Sequence, residues 1–323
     1  MLIFLNNPNL ISQQNLFDRN GPQPTIDVSF SLSTLKTSFA SDEDVLINVK
    51  VKNNDPNKPA RILDWIIPCD VNNPASSESM LSKDLSSFEV KTLGGQAAKY
   101  LGPMFKRGKP SDKDYLRLGP GAEVSCTINL GKYFEFIFPS GDEFYEIKFT
   151  ETSSQLSAPS ARLETLGSDT LSLQIAARNA PTRALRERKL QAINNFRNCD
   201  GSQQNDIADA RSRAAIESNN ALNVIDNVGR WKNAAYCPRY KDWFGDYEYN
   251  RHTTELKPGY SALRDRLNDS PIVFDCAGSG CPADNIFAYV YPSNPYVIYL
   301  CNMFWKAQMT GTDSKMASVT SPF

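Results

Sequence analysis

The first half of the chain is built from short runs in which apolar and polar residues alternate, and this pattern constrains the fold more than any other. In the first run, from Ile26 to Leu32, every second residue is apolar, as in a strand with one buried face. Comparable runs, separated by turn residues, occur at residues 45–51, 61–67, 88–93, 115–118, 123–130, 145–150 and 170–176. Short strands at this spacing predict an antiparallel β-sandwich that covers residues 26–178.

Residues 1–25 lack this alternation and are rich in Asn, Gln and Pro. We interpret them as a disordered leader. The apolar start ends at Leu5, whereas the core of a signal peptide takes about 7 to 15 residues. This start therefore indicates either a cytosolic protein or a different amino terminus.

Helix-forming patterns replace the alternation after residues 179–182. Residues 183–197 are one predicted helix, and residues 206–228 are a stronger one. In the stronger helix, apolar residues recur every three or four positions and share a face: Ile207, Ala210, Ala214, Ala221, Ile225 and Val228. Pro258 and Gly259 are expected to interrupt the next helical stretch. Short strands are predicted at residues 272–275, 286–291 and 296–300.

The length and charge of the chain limit its number of domains and the kinds of partner it can have. Its 323 residues are enough for about two domains, and we predict a multidomain β plus α+β protein whose second domain covers residues 183–323. The formal net charge is −1, which gives no electrostatic reason to expect nucleic acid or an anionic membrane as a partner. No apolar run reaches the roughly 18 residues that a membrane-spanning helix needs.

A single histidine, His252, limits the catalytic chemistry. A Ser-His-Asp triad, a Cys-His pair or a zinc site with two histidines would have to use it. Its neighbours, in the sequence NRHTT, indicate an exposed or half-buried polar residue near a helix start. The sequence contains no HExxH, GxSxG, P-loop or GxGxxG motif.

Other candidates are equally weak. Asp242, Asp246 and Glu248 flank a predicted aromatic loop at residues 243–249, where acidic residues commonly cap turns or face solvent. Cys237 has no neighbouring base that could activate it as a nucleophile.

Four of the seven cysteines, Cys199, Cys276, Cys281 and Cys301, lie in the second half. Disulfides are favoured over reduced, buried thiols. A zinc site is disfavoured, because the Cys-x4-Cys pair, Cys276 and Cys281, has no matching second pair. Seven is an odd number, so at least one of Cys69, Cys126 and Cys237 must be free or bonded to another chain.

Five separated stretches of the second half, taken in order, carry a resemblance to one family. They are residues 198–207 (NCDGSQQNDI), 239–245 (RYKDWFG), 274–276 (FDC), 288–292 (AYVYP) and 298–315 (IYLCNMFW through TGTDSK). They resemble the deuterolysin-type, or peptidyl-Lys, zinc metalloendopeptidases, the aspzincins. Residues 100–108 (YLGPMFKRG) resemble the domain that precedes the catalytic domain in bacterial and fungal members.

The resemblance implies an incomplete, mainly helical zincin-like second domain after a pro-like sandwich. In that family the TGTDS loop leads into a helix with HExxH, whose histidines bind zinc, and a later aspartate is the third ligand. After Lys315 this sequence reads MASVTSPF, so we assign no catalytic, cofactor-binding or metal-binding residue. We expect a chain truncated before the HExxH helix and inactive as given.

The resemblance also implies a partner class, a location and a disulfide pattern. The family acts outside the cell on proteins or peptides with Zn²⁺ as cofactor, and its disulfide pattern pairs Cys199 with Cys276 and Cys281 with Cys301. The alternative is a non-enzymatic protein, in which the β-sandwich acts as a binding or inhibitory module and the peptidase domain is a remnant.

Overall fold

The computed structural model describes residues 27–68, 85–108, 110–136, 143–152, 165–176, 194–231, 238–269, 271–278, 280–281, 284–311 and 314–320. The predicted leader, the boundary at residues 179–182 and most of the predicted helix at residues 183–197 lie outside these ranges. The described elements form a mixed β and α+β protein with several sheets.

Thirteen described strands precede residue 176. They are β1 (Val28–Ser33), β2 (Ser38–Phe39), β3 (Leu46–Asn53), β4 (Ala60–Leu63), β5 (Phe88–Thr92), β6 (Lys99–Tyr100), β7 (Met104–Arg107), β8 (Tyr115–Leu118), β9 (Glu123–Asn129), β10 (Phe134–Glu135), β11 (Glu143–Thr152), β12 (Thr165–Gly167) and β13 (Leu171–Ile175). The alternating runs of the sequence thus predicted most of the longer strands. Their alternation is visible in β3, where every second side chain is buried.

These strands form two larger sheets around one core. The first sheet has the antiparallel order β1-β3-β9, and the second has β11 at its centre, flanked by β5, β12 and β13. Phe30 of β1 stacks on Phe149 of β11 with ring centroids 4.5 Å apart. Apolar residues of both sheets belong to the same buried cluster, so the cluster fastens one sheet to the other.

The strand predicted at residues 61–67 is too long. β4 ends at Leu63, where its pairing with β8 ends, and Asp64–Ile66 forms a 3₁₀ turn that carries Trp65. The Ile67 N–H donates to the Asp64 carbonyl (3.2 Å), which closes the turn.

The C-terminal half combines six helices and four strands in its described residues. The helices are α1 (Gly201–Trp231), α2 (Pro238–Phe244), α3 (Tyr249–Arg251), α4 (Lys257–Asp269), α5 (Asn302–Lys306) and α6 (Lys315–Thr320), and the strands are β14 (Asn194–Arg197), β15 (Ile272–Asp275), β16 (Ile286–Tyr291) and β17 (Asn294–Leu300). The sheet has the order β14-β15-β17-β16-β7, in which β14, β15 and β17 are parallel and β16 is antiparallel to both its neighbours.

Helix α1 confirms the prediction made for residues 206–228. It begins earlier, because Asp200 and Gln203 form a reciprocal cap: the Gln203 N–H donates to Asp200 Oδ1 (2.8 Å), and the Asp200 N–H donates to Gln203 Oε1 (2.9 Å). Its apolar face is buried at Ile207, Ala210, Ala214, Ile225 and Val228. None of the helices in the described ranges combines the length and apolar character that crossing a membrane requires.

Three local predictions are wrong. Asn194–Arg197 is a strand and not the end of a helix, because it pairs with β15. The aromatic loop predicted from residue 243 is helical through Phe244. Pro258 does not interrupt its helix: it lies in the first turn of α4, and a π-helical turn at His252–Leu256 joins α4 to α3. The wider turn accommodates a proline, which lacks an N–H and crowds the preceding turn.

Candidate functional site

Hydrogen bonds hold the described end of the loop that resembles the approach to the zinc helix. Ser314 is fully buried, and its Oγ accepts a hydrogen bond from the Ala317 N–H (3.2 Å), which caps the start of α6. The same hydroxyl donates to the Gly311 carbonyl (2.6 Å). The Lys315 N–H donates to the Gln308 carbonyl (3.0 Å). A helix therefore begins at Lys315, the last residue of the TGTDSK sequence.

Helix α6 contacts both α1 and β16. Its side chains Ser318 and Val319 are fully buried, and the Ser318 hydroxyl donates back to the Ser314 carbonyl (2.7 Å). Lys315 is also buried and forms an ion pair with Asp206 of α1. The described helix, KMASVT, contains no histidine, cysteine or carboxylate.

Two disulfides fasten the ends of the sheet strands. Cys199 is bonded to Cys276, directly after β15, and Cys281 is bonded to Cys301, directly after β17. These are the two pairings that the resemblance implies. Cys126 is also disulfide-bonded. Cys69 and Cys237 lie outside the described residues.

A buried carboxylate lies beside the first disulfide. Asp275 accepts hydrogen bonds from Asn198 Nδ2 (3.2 Å) and the Ala277 N–H (3.0 Å), and an Arg197 guanidinium nitrogen lies 3.4 Å away. With its charge balanced in this way, Asp275 holds together the ends of β14 and β15. The arrangement is structural, because its oxygens already have partners inside the chain.

The face of the sheet that points away from α1, which also carries Asp275, holds an aromatic group. Tyr289 and Tyr299 stack almost in parallel, with ring centroids 4.7 Å apart, and Phe105 of β7 lies 5.6 Å from Tyr289. Burial, assisted by the neighbouring Tyr291 and Tyr299 hydroxyls, raises the pKa of Tyr289 above its ordinary value. Tyr289 is therefore neutral and supplies packing and a polar tip, not a base.

His252 is buried, with 4% of its surface exposed, so the prediction of an exposed or half-buried residue is wrong. The ring centres of Tyr247 and Tyr240 lie 5.1 and 6.1 Å from that of His252. Burial, together with the nearby Lys257 ammonium, lowers the pKa of His252, and Asp226 opposes this shift. Nδ1 has no hydrogen-bond partner among the described residues. No sequence pattern indicated this aromatic surrounding.

The remaining candidates are solvated where the structure describes them. Asp246 and Glu248 are exposed, and Asp246 pairs with Lys241 at 3.3 Å on the surface. The side chain of Asp242 lies outside the described residues. Within the described residues, Asp246 and Glu248 are not gathered into a metal-binding group.

The chemistry of the described side chains does not fit a zinc ion. Within the described ranges, no three His, Cys, Asp or Glu residues are grouped so that they could hold a metal. Cys199, Cys276, Cys281 and Cys301 are bonded in disulfides and cannot bind a metal as thiolates. His252 lies between the rings of Tyr240 and Tyr247. No step of a reaction can therefore be derived through a metal from these residues.

The chain is similar to proteins that are named as peptidases. The aspzincin family model, described as lysine-specific metallo-endopeptidase, matches residues 231–320. An extracellular protease of Aeromonas hydrophila is 29% identical over 291 residues, which are 86% of this chain and 75% of that protein.

Two fungal proteins named peptidyl-Lys metalloendopeptidase are also similar. That of Armillaria mellea is 28% identical over 254 residues, covering 76% of this chain and 68% of its own length. That of Grifola frondosa is 38% identical over 125 residues, covering 38% of this chain and 33% of its own length. The chain belongs to the aspzincin family of peptidyl-Lys, or deuterolysin-like, metalloendopeptidases.

Proposed function

We propose that this chain carries the scaffold of a secreted zinc metalloendopeptidase, and that the 323-residue polypeptide does not itself hydrolyse peptide bonds. The family role is proteolysis, and its relatives are named as an extracellular protease and as peptidyl-Lys metalloendopeptidases. The proposed substrates of the family chemistry are proteins or peptides, and the proposed location is extracellular.

The observation that carries the proposal is the composition of helix α6. The described end of the preceding loop is anchored by the hydrogen bonds of Ser314 and Lys315, and a helix follows it. Its residues, however, include no histidine, cysteine or carboxylate, the usual protein ligands of zinc. A catalytic zinc takes about three protein ligands and keeps one position for water, and the described part of the chain groups no such set.

The architecture that accompanies this function is also a proposal. We propose a disordered leader at residues 1–25, a pro-like β-sandwich at residues 26–178 and a zincin-like domain at residues 183–323. The stacking of Phe30 on Phe149 between two sheets supports the sandwich. Helices α1 and α6, which lie against a mixed sheet, support the zincin-like interpretation.

The experiment is a zinc and activity measurement on the purified chain. After equilibration with Zn²⁺ and removal of the excess, we expect no stoichiometric zinc by elemental analysis and no casein cleavage. The Aeromonas protease is the positive control, and 1,10-phenanthroline identifies metal-dependent cleavage. One tightly bound zinc per chain, or casein cleavage that the chelator abolishes, would overturn the proposal.

The His252→Ala variant is the matched control for adventitious binding. Since His252 is the only histidine of the sequence, zinc bound equally by the parent chain and the variant would come from carboxylates or solvent-exposed groups. Zinc that the parent binds and the variant loses would place His252 in a metal site, against the burial and aromatic surroundings described above.

A second candidate is a non-enzymatic binding or inhibitory module formed by the N-terminal half. It is favoured by the separate buried cluster of that half, whose described members all precede residue 176. Limited proteolysis distinguishes the candidates, because cleavage follows local opening. A protected fragment of residues 25–180 alone would favour the second candidate, and equal protection of the C-terminal half would count against it.

A further inference from the structure

Residues 238–256 form a small unit beside the C-terminal part of α1. They include α2, α3 and the π-helical turn, and their apolar side chains pack against Ile225 and Val228 of α1. This buried cluster is separate from the one that joins α1 to the sheet. At its border, Lys257 of α4 pairs with Asp226 of α1 (2.8 Å), and about half of each side chain is exposed. A segment held by so small a cluster can open while the rest of the domain stays folded.

His252 is buried among the aromatic rings of this unit. Its ring centre lies 5.1 Å from that of Tyr247 and 6.1 Å from that of Tyr240. Nδ1 is enclosed and has no hydrogen-bond partner in the part of the chain that the structure describes. A neutral imidazole carries a proton on one nitrogen, whereas the imidazolium carries an N–H on both. Protonation in place would therefore create a buried charge with an unpaired Nδ1–H, and both are costly.

The groups around His252 offer little compensation for such a charge. The described titratable and charged groups are Asp226 on α1, Tyr240 on α2, Tyr247 and Glu248 between α2 and α3, Arg251 on α3, Glu255 in the turn, and Lys257 and Tyr260 on α4. Burial, and then the Lys257 ammonium, lower the pKa of His252, while Asp226 opposes them. Burial raises the pKa of Tyr240 and of Tyr260, so these two hydroxyls stay neutral.

The π-helical turn places His252 at the junction between this unit and α4. The His252 N–H donates to the Glu248 carbonyl (2.8 Å), and the Thr254 hydroxyl donates to the Asn250 carbonyl (2.8 Å). π-Helical turns are rare and are frequent at functional sites. The change of helical geometry at this turn is a suitable hinge, because α4 can stay intact on one side of it.

We propose that residues 238–256 are an acid-sensitive flap: uptake of a proton by His252 opens the segment about the π-helical turn and uncovers the apolar surface of α1 at Ile225 and Val228. Opening moves the imidazolium into water, where its charge and both N–H groups are solvated. In the open segment the pKa of His252 returns to the ordinary value of 6.5. Opening should therefore increase as the pH falls below 6.5 and should not depend on His252 at higher pH.

This inference goes beyond the proposed function. It concerns a conformational change in the C-terminal half and holds whether or not the chain hydrolyses peptides.

The test is hydrogen exchange, read by mass spectrometry, on the full chain at pH 7.5 and pH 5.5. Each exchange rate is divided by the intrinsic rate at the same pH, which gives the open fraction. We expect the open fraction of residues 238–256 to rise by up to about tenfold at pH 5.5, because opening is linked to one proton. Returning the sample to pH 7.5 should restore protection. The amides of β15 and β16 are expected to keep theirs at both values.

Two variants identify the group that titrates. His252→Phe keeps an aromatic ring and cannot take up a proton, so its flap should open equally at both pH values. Glu255→Gln is the matched control, since it removes an exposed carboxylate from the same turn and should respond as the parent chain does.

An NMR titration of the untagged parent chain needs no variant. His252 is the only histidine of the sequence, so one imidazole signal reports its protonation, and we expect a midpoint below 6.5. Four results would overturn the proposal: unchanged protection of residues 238–256 at pH 5.5, an equal loss of protection in β15 and β16, the same acid response in His252→Phe, or an NMR midpoint at or above 6.5.

Discussion

The Lys315 ammonium at the start of α6 forms an ion pair with the Asp206 carboxylate of α1, which lies 109 residues earlier in the sequence. Lys315 is enclosed, with 11% of its side chain exposed, whereas 40% of the Asp206 side chain is exposed. The ammonium also lies 5.9 Å from the ring centre of Phe304. This pair fixes the end of the loop that precedes α6 against the longest helix.

Removing the carboxylate should destabilise the chain. In Asp206→Ala the enclosed ammonium loses its partner, which should cost about 1 to 3 kcal/mol of unfolding free energy, less than a fully buried pair because Asp206 is partly solvated. Asp209→Ala on the same helix is the control, since its pair with Arg213 is exposed and should cost less than about 1 kcal/mol. Denaturant unfolding measures both, and equal losses would contradict the assigned role of the Lys315 pair.

His252 should make the folded state sensitive to mild acid. Burial and Lys257 hold its pKa below the ordinary value of 6.5, against the opposing effect of Asp226. The unfolded chain therefore binds the proton more readily, so unfolding free energy should fall as the pH decreases through 6.5 and should not depend on His252 at higher pH.

The matched variant is His252→Phe, which preserves an aromatic ring between Tyr240 and Tyr247 and cannot titrate. Unfolding free energies are measured in denaturant at pH 8 and pH 5.5 for both proteins. We expect the unfolding free energy to fall less between pH 8 and pH 5.5 in the variant than in the parent chain. An identical loss of unfolding free energy in both proteins would show that carboxylates alone account for the acid sensitivity. It would also show that burial does not keep the His252 imidazole from taking up a proton.

Local patterns predicted the parts of the fold whose information lies within a few residues. Helix α1 repeats apolar residues every three or four positions over a long stretch, and β3 alternates over eight residues. The cap at Asp200, which starts the helix earlier than predicted, was not predicted. β14 was mistaken for helix because its four residues are specified by pairing with β15, which lies more than 70 residues away. β7 was not predicted as a strand for the same reason: its partner β16 is in the other half of the chain.

In the candidate site, too, features carried by short sequence stretches were predicted and features formed by distant residues were not. The motifs that resemble the family predicted the cysteine pairs and the loop before α6, since both are carried by short sequence stretches. The surroundings of His252 could not be predicted, because its cage is made by Tyr240 and Tyr247, and a π-helical turn brings the histidine to them. Nor does a pattern link Asp206 to Lys315.

Gly280 should not tolerate a side chain. A Cβ at this position would come within 2.2 Å of the Tyr289 hydroxyl oxygen. Tyr289 is buried and stacked on Tyr299, so its ring cannot move away without disturbing the sheet. We expect Gly280→Ala to lower the unfolding free energy by about 1 to 3 kcal/mol.

Gly201→Ala provides the comparison. A Cβ at Gly201 meets nothing within 4 Å, and the residue opens α1, where alanine is the better helix former. This variant should be neutral or more stable by up to about 1 kcal/mol. Thermal unfolding of the two variants, measured side by side, would reject the assigned packing of Tyr289 if Gly280→Ala were equally well tolerated.

The two disulfides should differ in what they contribute, because they close loops of different length. The Cys199–Cys276 bond has a sequence separation of 77 and the Cys281–Cys301 bond one of 20. In the chain-entropy description these closures restrict the unfolded chain by about 4.5 and about 3 kcal/mol respectively. Replacing each pair with alanines and measuring denaturant unfolding should therefore show the larger loss for Cys199→Ala/Cys276→Ala. A larger loss for the other pair would mean that burial of Cys301, which is 1% exposed, outweighs loop closure and that native-state packing sets the contribution.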